Sequence, residues 1–244
     1  MKVLLLGGAG YLGPHVIKEL ATDFELRVTD IKPLETESDV EFRHVDVSSL
    51  DQVMSAAEGV DAIVNLSVLR QDRQLAFDVS TRGCYNMMRA AEEHGIRRII
   101  NTGPHFTVAG RTFEAFDHNI PPDIPPQPGT NLYALTKSLG SEICRVYAEN
   151  LDFNVQTYLF YHFRDTAKLE PGSHIAPFSI SWADAARIFR LGLEVDLEQL
   201  PSNFEVFYVF TDMPHGKFTN DKAKRILGFT TEDDISVLWQ KPER

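Results

Sequence analysis

The stretch Leu6-Gly7-Gly8-Ala9-Gly10-Tyr11-Leu12-Gly13 decides how the rest of the chain is read, because it closes a short apolar strand, Lys2 to Leu6, and opens a helix. Glycines spaced by three between strand and helix suit a turn whose N–H groups, with the positive end of the helix dipole, face a phosphate. Gly7 can take a backbone geometry closed to residues with side chains, and Gly10 lets a ligand approach the main chain. Gly13 is expected to let the helix lie close on the sheet. Pro14 suits the first helical turn, where its missing N–H forfeits no bond. Tyr11 and Leu12 share the turn and are candidate binding residues with the glycines.

A glycine turn by itself is compatible with a purely structural role, and its context selects a ligand. Glu25 to Thr29 reads as a second strand, and Asp30 stands at its end, twenty residues after Gly10. A carboxylate there can accept hydrogen bonds from the adenosine ribose hydroxyls and would repel a 2′-phosphate, so the expected cofactor is NAD rather than NADP.

At 244 residues, 43% of them hydrophobic, the chain can bury a full core. Its net charge of −11 and lack of a basic run argue against a nucleic-acid partner. The N-terminal apolar stretch ends at Gly7, and no segment approaches the length of a membrane span, so a cytoplasmic protein without a membrane partner is expected. The eight histidines show no metal-ligand spacing, and no metal site is expected; His118 beside Asp117 reads as a loop pair. The two cysteines, Cys84 and Cys144, fall in predicted helices and are expected to pack as small apolar groups.

Strand patterns near 2–6, 25–29, 41–45, 61–66, 97–102 and 153–160 alternate with helical patterns near 11–22, 51–57, 76–94 and 133–149. That alternation predicts an α/β fold with a doubly wound parallel sheet over residues 1–160. Residues 119–130 carry five prolines and must form an irregular loop. Beyond 160 the pattern predicts a helix from Trp182 to Glu194, a strand from Glu205 to Thr211 and a short helix with Asn220 as N-cap and Gly228 as its stop. Residues 161–244 read mainly as a small substrate-covering lobe integrated with the core.

Tyr133-Ala-Leu-Thr-Lys137 is the second decisive motif, since a four-residue separation puts phenol and ammonium on one helix face. A free tyrosine, with pKa about 10, is a poor base at neutral pH, and a nearby ammonium favours the phenolate. Lys137 could also hold the nicotinamide ribose.

With Gly7, Gly10, Gly13, Asp30, the Asp46-Val47 pair, Asn65-Leu66-Ser67, Tyr133 and Lys137 all in order, the chain resembles the extended short-chain dehydrogenase/reductases of the NAD-dependent epimerase/dehydratase group. The resemblance implies a Rossmann-type domain, Asp46 and Val47 near adenine, and Leu66 and Ser67 over the cofactor. It also implies Ser67 near the substrate and a homodimer formed by helices 76–94 and 133–149, with Met87, Met88, Val146 and Tyr147 as candidate interface residues. The family places a serine after the fifth strand, but Asn101 to Gly110 contains none. Counting back from Gly110 puts His105 in its place, with Thr107 two residues later; either could act on the reacting oxygen.

Pro177-Phe178-Ser179 and the run from Pro214 through His215, Lys217 and Asn220 to Gly228 make the chain look most like the short uronate or sugar dehydrogenases. That likeness implies a sugar or sugar-acid substrate. Arg164 is the candidate for an anionic substituent, with Asp165 beside it expected to compete for its charge. Two other functions stay open on these residues: epimerisation or dehydration of a nucleotide sugar, and a dinucleotide-binding regulator without turnover.

Overall fold

The computed structural model describes residues 1–69, 72–105, 119–171, 178–214, 216 and 218–240. Alternation along β1 (Lys2–Leu6) sets the architecture. Val3 and Leu5 enter one apolar cluster while Leu4 and Leu6 enter the other, as the two-residue period of a strand requires. A strand apolar on both faces needs both covered, which alternating helices accomplish. The chain continues through α1 (Gly13–Leu20), β2 (Glu25–Asp30), β3 (Glu41–His44), α2 (Leu50–Ala57) and β4 (Ala62–Asn65). Then come α3 (Arg73–Phe77), a π-helical turn (Asp78–Arg82), α4 (Gly83–His94), β5 (Arg98–Pro104), α5 (Leu132–Asn150) and β6 (Asn154–Phe160). After β6 follow β7 (His162–Arg164), β8 (Ser179–Ser181), α6 (Trp182–Glu194), β9 (Phe204–Tyr208) and α7 (Asp221–Leu227).

Among the described residues, seven strands form one parallel sheet in the order β3-β2-β1-β4-β5-β6-β9. This is the doubly wound sheet that the sequence implies. The chain leaves β1 toward β2 and β3, then crosses to β4 on the other side. The carboxyl ends of β1 and β4 therefore flank a crevice, the place where such sheets bind ligands. β9 pairs with β6 from Val155↔Phe204 to Leu159↔Tyr208, so the chain beyond residue 160 supplies an edge strand to the main sheet. β7 and β8 pair separately, in parallel.

The helix expected at 76–94 begins at Arg73 and contains the π turn, which the sequence pattern does not announce. The turn packs on a segment distant in sequence. At Gly140 of α5 an added Cβ would stand 2.1 Å from the Ser80 carbonyl, so helix and turn meet backbone to backbone. The Thr81 hydroxyl donates to the Thr136 carbonyl at 3.3 Å across the same contact. The proline-rich loop is irregular, as expected, and is pinned to the C-terminal part by a bridge between Ile120 and Phe218 and by Lys222, which pairs with both Asp123 and Glu205.

Several details differ from the sequence reading. Asn220 precedes α7, but its side chain donates to the Phe210 carbonyl at 2.7 Å and caps nothing, because the chain turning back toward Phe210 leaves that acceptor closer to hand. Gly228 does end the helix, at φ 65°. Met87 and Met88 are fully buried beside α2 and β4, which removes them from any surface contact; Tyr147 is half-buried, while Tyr85, Leu139 and Val146 are exposed on the two helices. Cys84 and Cys144 are buried in the apolar core without a disulfide, as expected. The neighbouring Cys84 thiol, and then burial, push the Cys144 thiol well above its ordinary value. Among the described residues no helix is long and apolar enough to cross a membrane.

Candidate active site

The glycine turn is fastened to its surroundings residue by residue. Gly7 has φ +79°, and a Cβ there would lie 2.6 Å from the Ser67 backbone, so the turn rests directly on the continuation of β4. The Gly7 and Gly8 N–H groups both donate to the Thr29 carbonyl, at 2.9 and 3.0 Å. Gly13 permits a close approach too, though to the turn rather than the sheet: its Cβ would fall 1.9 Å from the Gly8 carbonyl oxygen. Gly10 is different. It is exposed, and a Cβ there would meet only the Gly7 carbonyl, at an ordinary 3.4 Å. Packing does not demand glycine at that point; a ligand against the main chain would.

Asp30 closes the arrangement from β2. Its Oδ2 accepts the Ala9 N–H and its Oδ1 the Lys32 N–H, each at 3.0 Å, so the carboxylate is held at the mouth of the turn. From there a cleft runs along the carboxyl edge of the sheet. One half is lined by Asp30, Lys32, Asp46, Val47 and Ser67; the other by Tyr11, Leu12, Gly13, Thr102, Asn131, Tyr133 and Lys137. Gly7, Gly10, Leu66 and Val68 belong to both halves, which makes them one continuous trough. The second half encloses about 480 Å³. Asp46 is oriented by the Ser48 N–H, which donates to its Oδ1 at 2.9 Å. These residues fit a dinucleotide: a carboxylate at one end, bare backbone at Gly10 in the middle, and titratable groups at the other end.

Those titratable groups come from the first turns of α5. Asn131 caps the helix, its Oδ1 accepting the Ala134 N–H at 3.1 Å. Tyr133 and Lys137 follow on one face and both reach the cleft. Lys137 is only 3% exposed, and its ammonium donates to the Ser67 carbonyl at 2.9 Å. A buried ammonium needs such an acceptor, since water cannot supply one.

The other candidates are placed less directly. His105 is buried, with its ring packed 4.5 Å from Tyr161 and 4.3 Å from Phe178, centroid to centroid; Tyr161 lines the cleft and His105 does not. Thr107 lies outside the described residues, as do Gly110, Asp117, His118, Pro177, His215 and Lys217. Arg164 is half-buried and away from the cleft lining, with its Nη1 3.2 Å from the His162 Nε2. Asp165 does not take its charge, because Lys168 pairs with that carboxylate at 2.8 Å.

Sequence reasoning missed an aromatic wall. Phe160, Tyr161, Phe163 and Trp182 line the half of the cleft beyond Tyr133. Trp182 is stacked between Phe163 and His15, at 4.5 and 4.6 Å. Burial, and then the charge of Lys18, hold the His15 imidazole below its ordinary value, so the stack joins neutral rings. Only Trp182 at the head of a predicted helix offered a signal for it. Gly8 was also passed over, although a Cβ there would lie 2.3 Å from Val28 Cγ1.

Comparison with known proteins agrees with this layout. Two relatives by sequence are an NAD-dependent glucose-6-phosphate dehydrogenase of Haloferax volcanii, 22% identical with 95% of this chain and 93% of that protein covered, and a uronate dehydrogenase of Pseudomonas putida, 29% identical with 60% and 55% covered. The fold is shared with a uronate dehydrogenase from Agrobacterium tumefaciens, at TM-score 0.78 and 20% identity over 100% of this chain and 91% of that one. It is shared as well with MoeE5 in complex with UDP-glucuronic acid and NAD, at TM-score 0.79 and 16% identity over 97% and 95%. The model of the NAD dependent epimerase/dehydratase family matches residues 3–163, from the first strand to β7, and takes in every cleft-lining residue named above except Trp182. With more than half its length under that match, the chain belongs to the NAD-dependent epimerase/dehydratase family, whose cofactor is NAD.

Proposed function

We propose that the chain moves a hydride between NAD and a secondary alcohol of a free sugar or sugar acid. The observation that carries this reading is that one trough is lined both by the glycine turn with Asp30 and by Tyr133 with Lys137. In the proposed arrangement Asp30 holds the adenosine ribose, Asp46 and Val47 flank the adenine, and Gly10, Tyr11, Leu12 and Gly13 meet the pyrophosphate. Leu66, Ser67 and Lys137 hold the nicotinamide end. NAD supplies the hydride acceptor. Tyr133 Oη takes the proton of the substrate hydroxyl, and the Lys137 ammonium favours the phenolate that does so. His105 and Thr107 are our candidates for steadying the reacting oxygen, with Ser67 near the substrate and Arg164 the first candidate for an anionic substituent.

Epimerisation of a nucleotide sugar is the runner-up. What favours the dehydrogenase is the aromatic wall, which suits the C–H face of a small sugar ring. A panel of free aldoses, sugar acids, sugar phosphates and uridine diphosphate sugars with NAD, read by NADH formation, tests the reading. Reduction of NAD by a free sugar or sugar acid supports it; turnover of only the nucleotide sugar promotes the epimerase, and no turnover at all the regulator. A cytoplasmic homodimer completes the proposal, its contact built on the exposed Tyr85 and Val146 of α4 and α5. Light scattering at micromolar concentration that found only monomer would count against the dimer.

A further inference from the structure

Asn65, the last residue of β4, lies 2% exposed under the cleft and connects three segments of it. Its Oδ1 accepts both the N–H of Ser67, at 3.1 Å, and the Ser67 hydroxyl. Its Nδ2 donates to Asn101 Oδ1 at 3.0 Å, on the adjacent strand β5. Its carbonyl accepts the Thr102 hydroxyl at 2.8 Å. Ser67 is thereby clamped from one side, and from the other the Cβ-free Gly7 closes on its backbone. The carbonyl of this clamped residue is the one that accepts Lys137 Nζ.

Stability alone gives little reason for this pair of amides. Replacing both partners of a buried hydrogen bond with apolar groups of similar shape is close to neutral, while an unpaired buried donor is costly. Asn101 Nδ2 is such a donor: it is buried and has no protein acceptor among the described residues. What the pair does supply is direction. With Asn65 held by Asn101, the Leu66–Ser67 turn has one orientation, and the Ser67 carbonyl points at the ammonium.

We propose that Asn65, braced by Asn101, is a positioning residue that fixes the Ser67 carbonyl and through it the Lys137 ammonium beside Tyr133. The proposal rests on the reading of Tyr133 and Lys137 given above. Two readouts test it: turnover of the active sugar with NAD as a function of pH, and the tyrosinate absorbance of Tyr133, taken as the difference from Tyr133→Phe, which needs no substrate. In folded Asn65→Leu, turnover at neutral pH should fall about tenfold, and both midpoints should rise by about one pH unit. Asn101→Ala should move them the same way by less. Midpoints unmoved in folded Asn65→Leu overturn the proposal; if that variant melts below the assay temperature, unmoved midpoints in Asn101→Ala do so. Lys137→Ala separates the two layers of argument. If it leaves the Tyr133 ionisation unmoved, the functional reading fails; if it raises the midpoint while the asparagine variants do not, only the positioning role fails.

Discussion

Lys137 Nζ donates to the Ser67 carbonyl at 2.9 Å, and the Ser67 backbone is also the surface on which Gly7 packs. The helix that carries Tyr133 and the glycine turn proposed to meet the dinucleotide thus converge on one residue. Lys137→Ala should therefore reduce turnover at least tenfold and also weaken NAD binding by about tenfold, or ~1.4 kcal/mol. Steady-state kinetics with an independent NAD titration checks both; a loss in turnover alone would show that the ammonium serves only the proton transfer.

Cofactor preference follows from Asp30. Both of its oxygens are braced by backbone N–H groups, so the carboxylate cannot swing away from a 2′-phosphate at low cost. NAD should bind at least about tenfold more tightly than NADP, and Asp30→Ala should narrow the gap. Calorimetric titration with each nucleotide decides it, and equal affinities in the wild type would contradict the assignment.

Much of this was legible in advance because it rests on local chemistry. The glycine turn, Asp30, Tyr133 and Lys137 announce themselves by spacing, and short apolar runs alternating with helical patterns mark the strands. What escaped prediction depends on contacts between distant segments. The π turn packs where Gly140 lets α5 approach Ser80, and Met87 and Met88 are core residues because α4 lies against α2 and β4. The aromatic wall needs Phe163 and Trp182 from separate elements to meet His15 from α1, which no local pattern can report. The place of His105 behind Tyr161 is of the same kind.

Acid sensitivity should trace in part to Glu41. Burial pushes its carboxyl up, but hydrogen bonds from Lys2, Arg27 and Arg43 outweigh this and hold it down to about 2, from an ordinary 4.5. A carboxyl lowered on folding stabilises the protein fully above its unfolded value and loses that contribution as pH falls through the folded one. Glu41→Gln should thus be less stable than wild type at pH 7, with the difference closing between pH 4.5 and 2. Urea unfolding across that range measures it, and a difference independent of pH would rule the mechanism out.

His105 has a packing role beside the catalytic one proposed for it. His105→Ala should lower the melting temperature through loss of contacts with Tyr161 and Phe178, and should reduce turnover more than Thr107→Val does. His105→Phe separates the two effects. If the ring nitrogen acts on the reacting oxygen, this variant recovers stability while turnover stays down about tenfold or more. Recovery of both would reduce the residue to a packing element.

The proposed chemistry stands or falls on Tyr133 Oη. With a sugar or sugar acid that the wild type oxidises, NADH formation by Tyr133→Phe should be slower by roughly 10²–10⁴-fold, while NAD affinity stays within about threefold of wild type. Undiminished turnover in Tyr133→Phe would contradict the assignment of the base and with it the proposed mechanism.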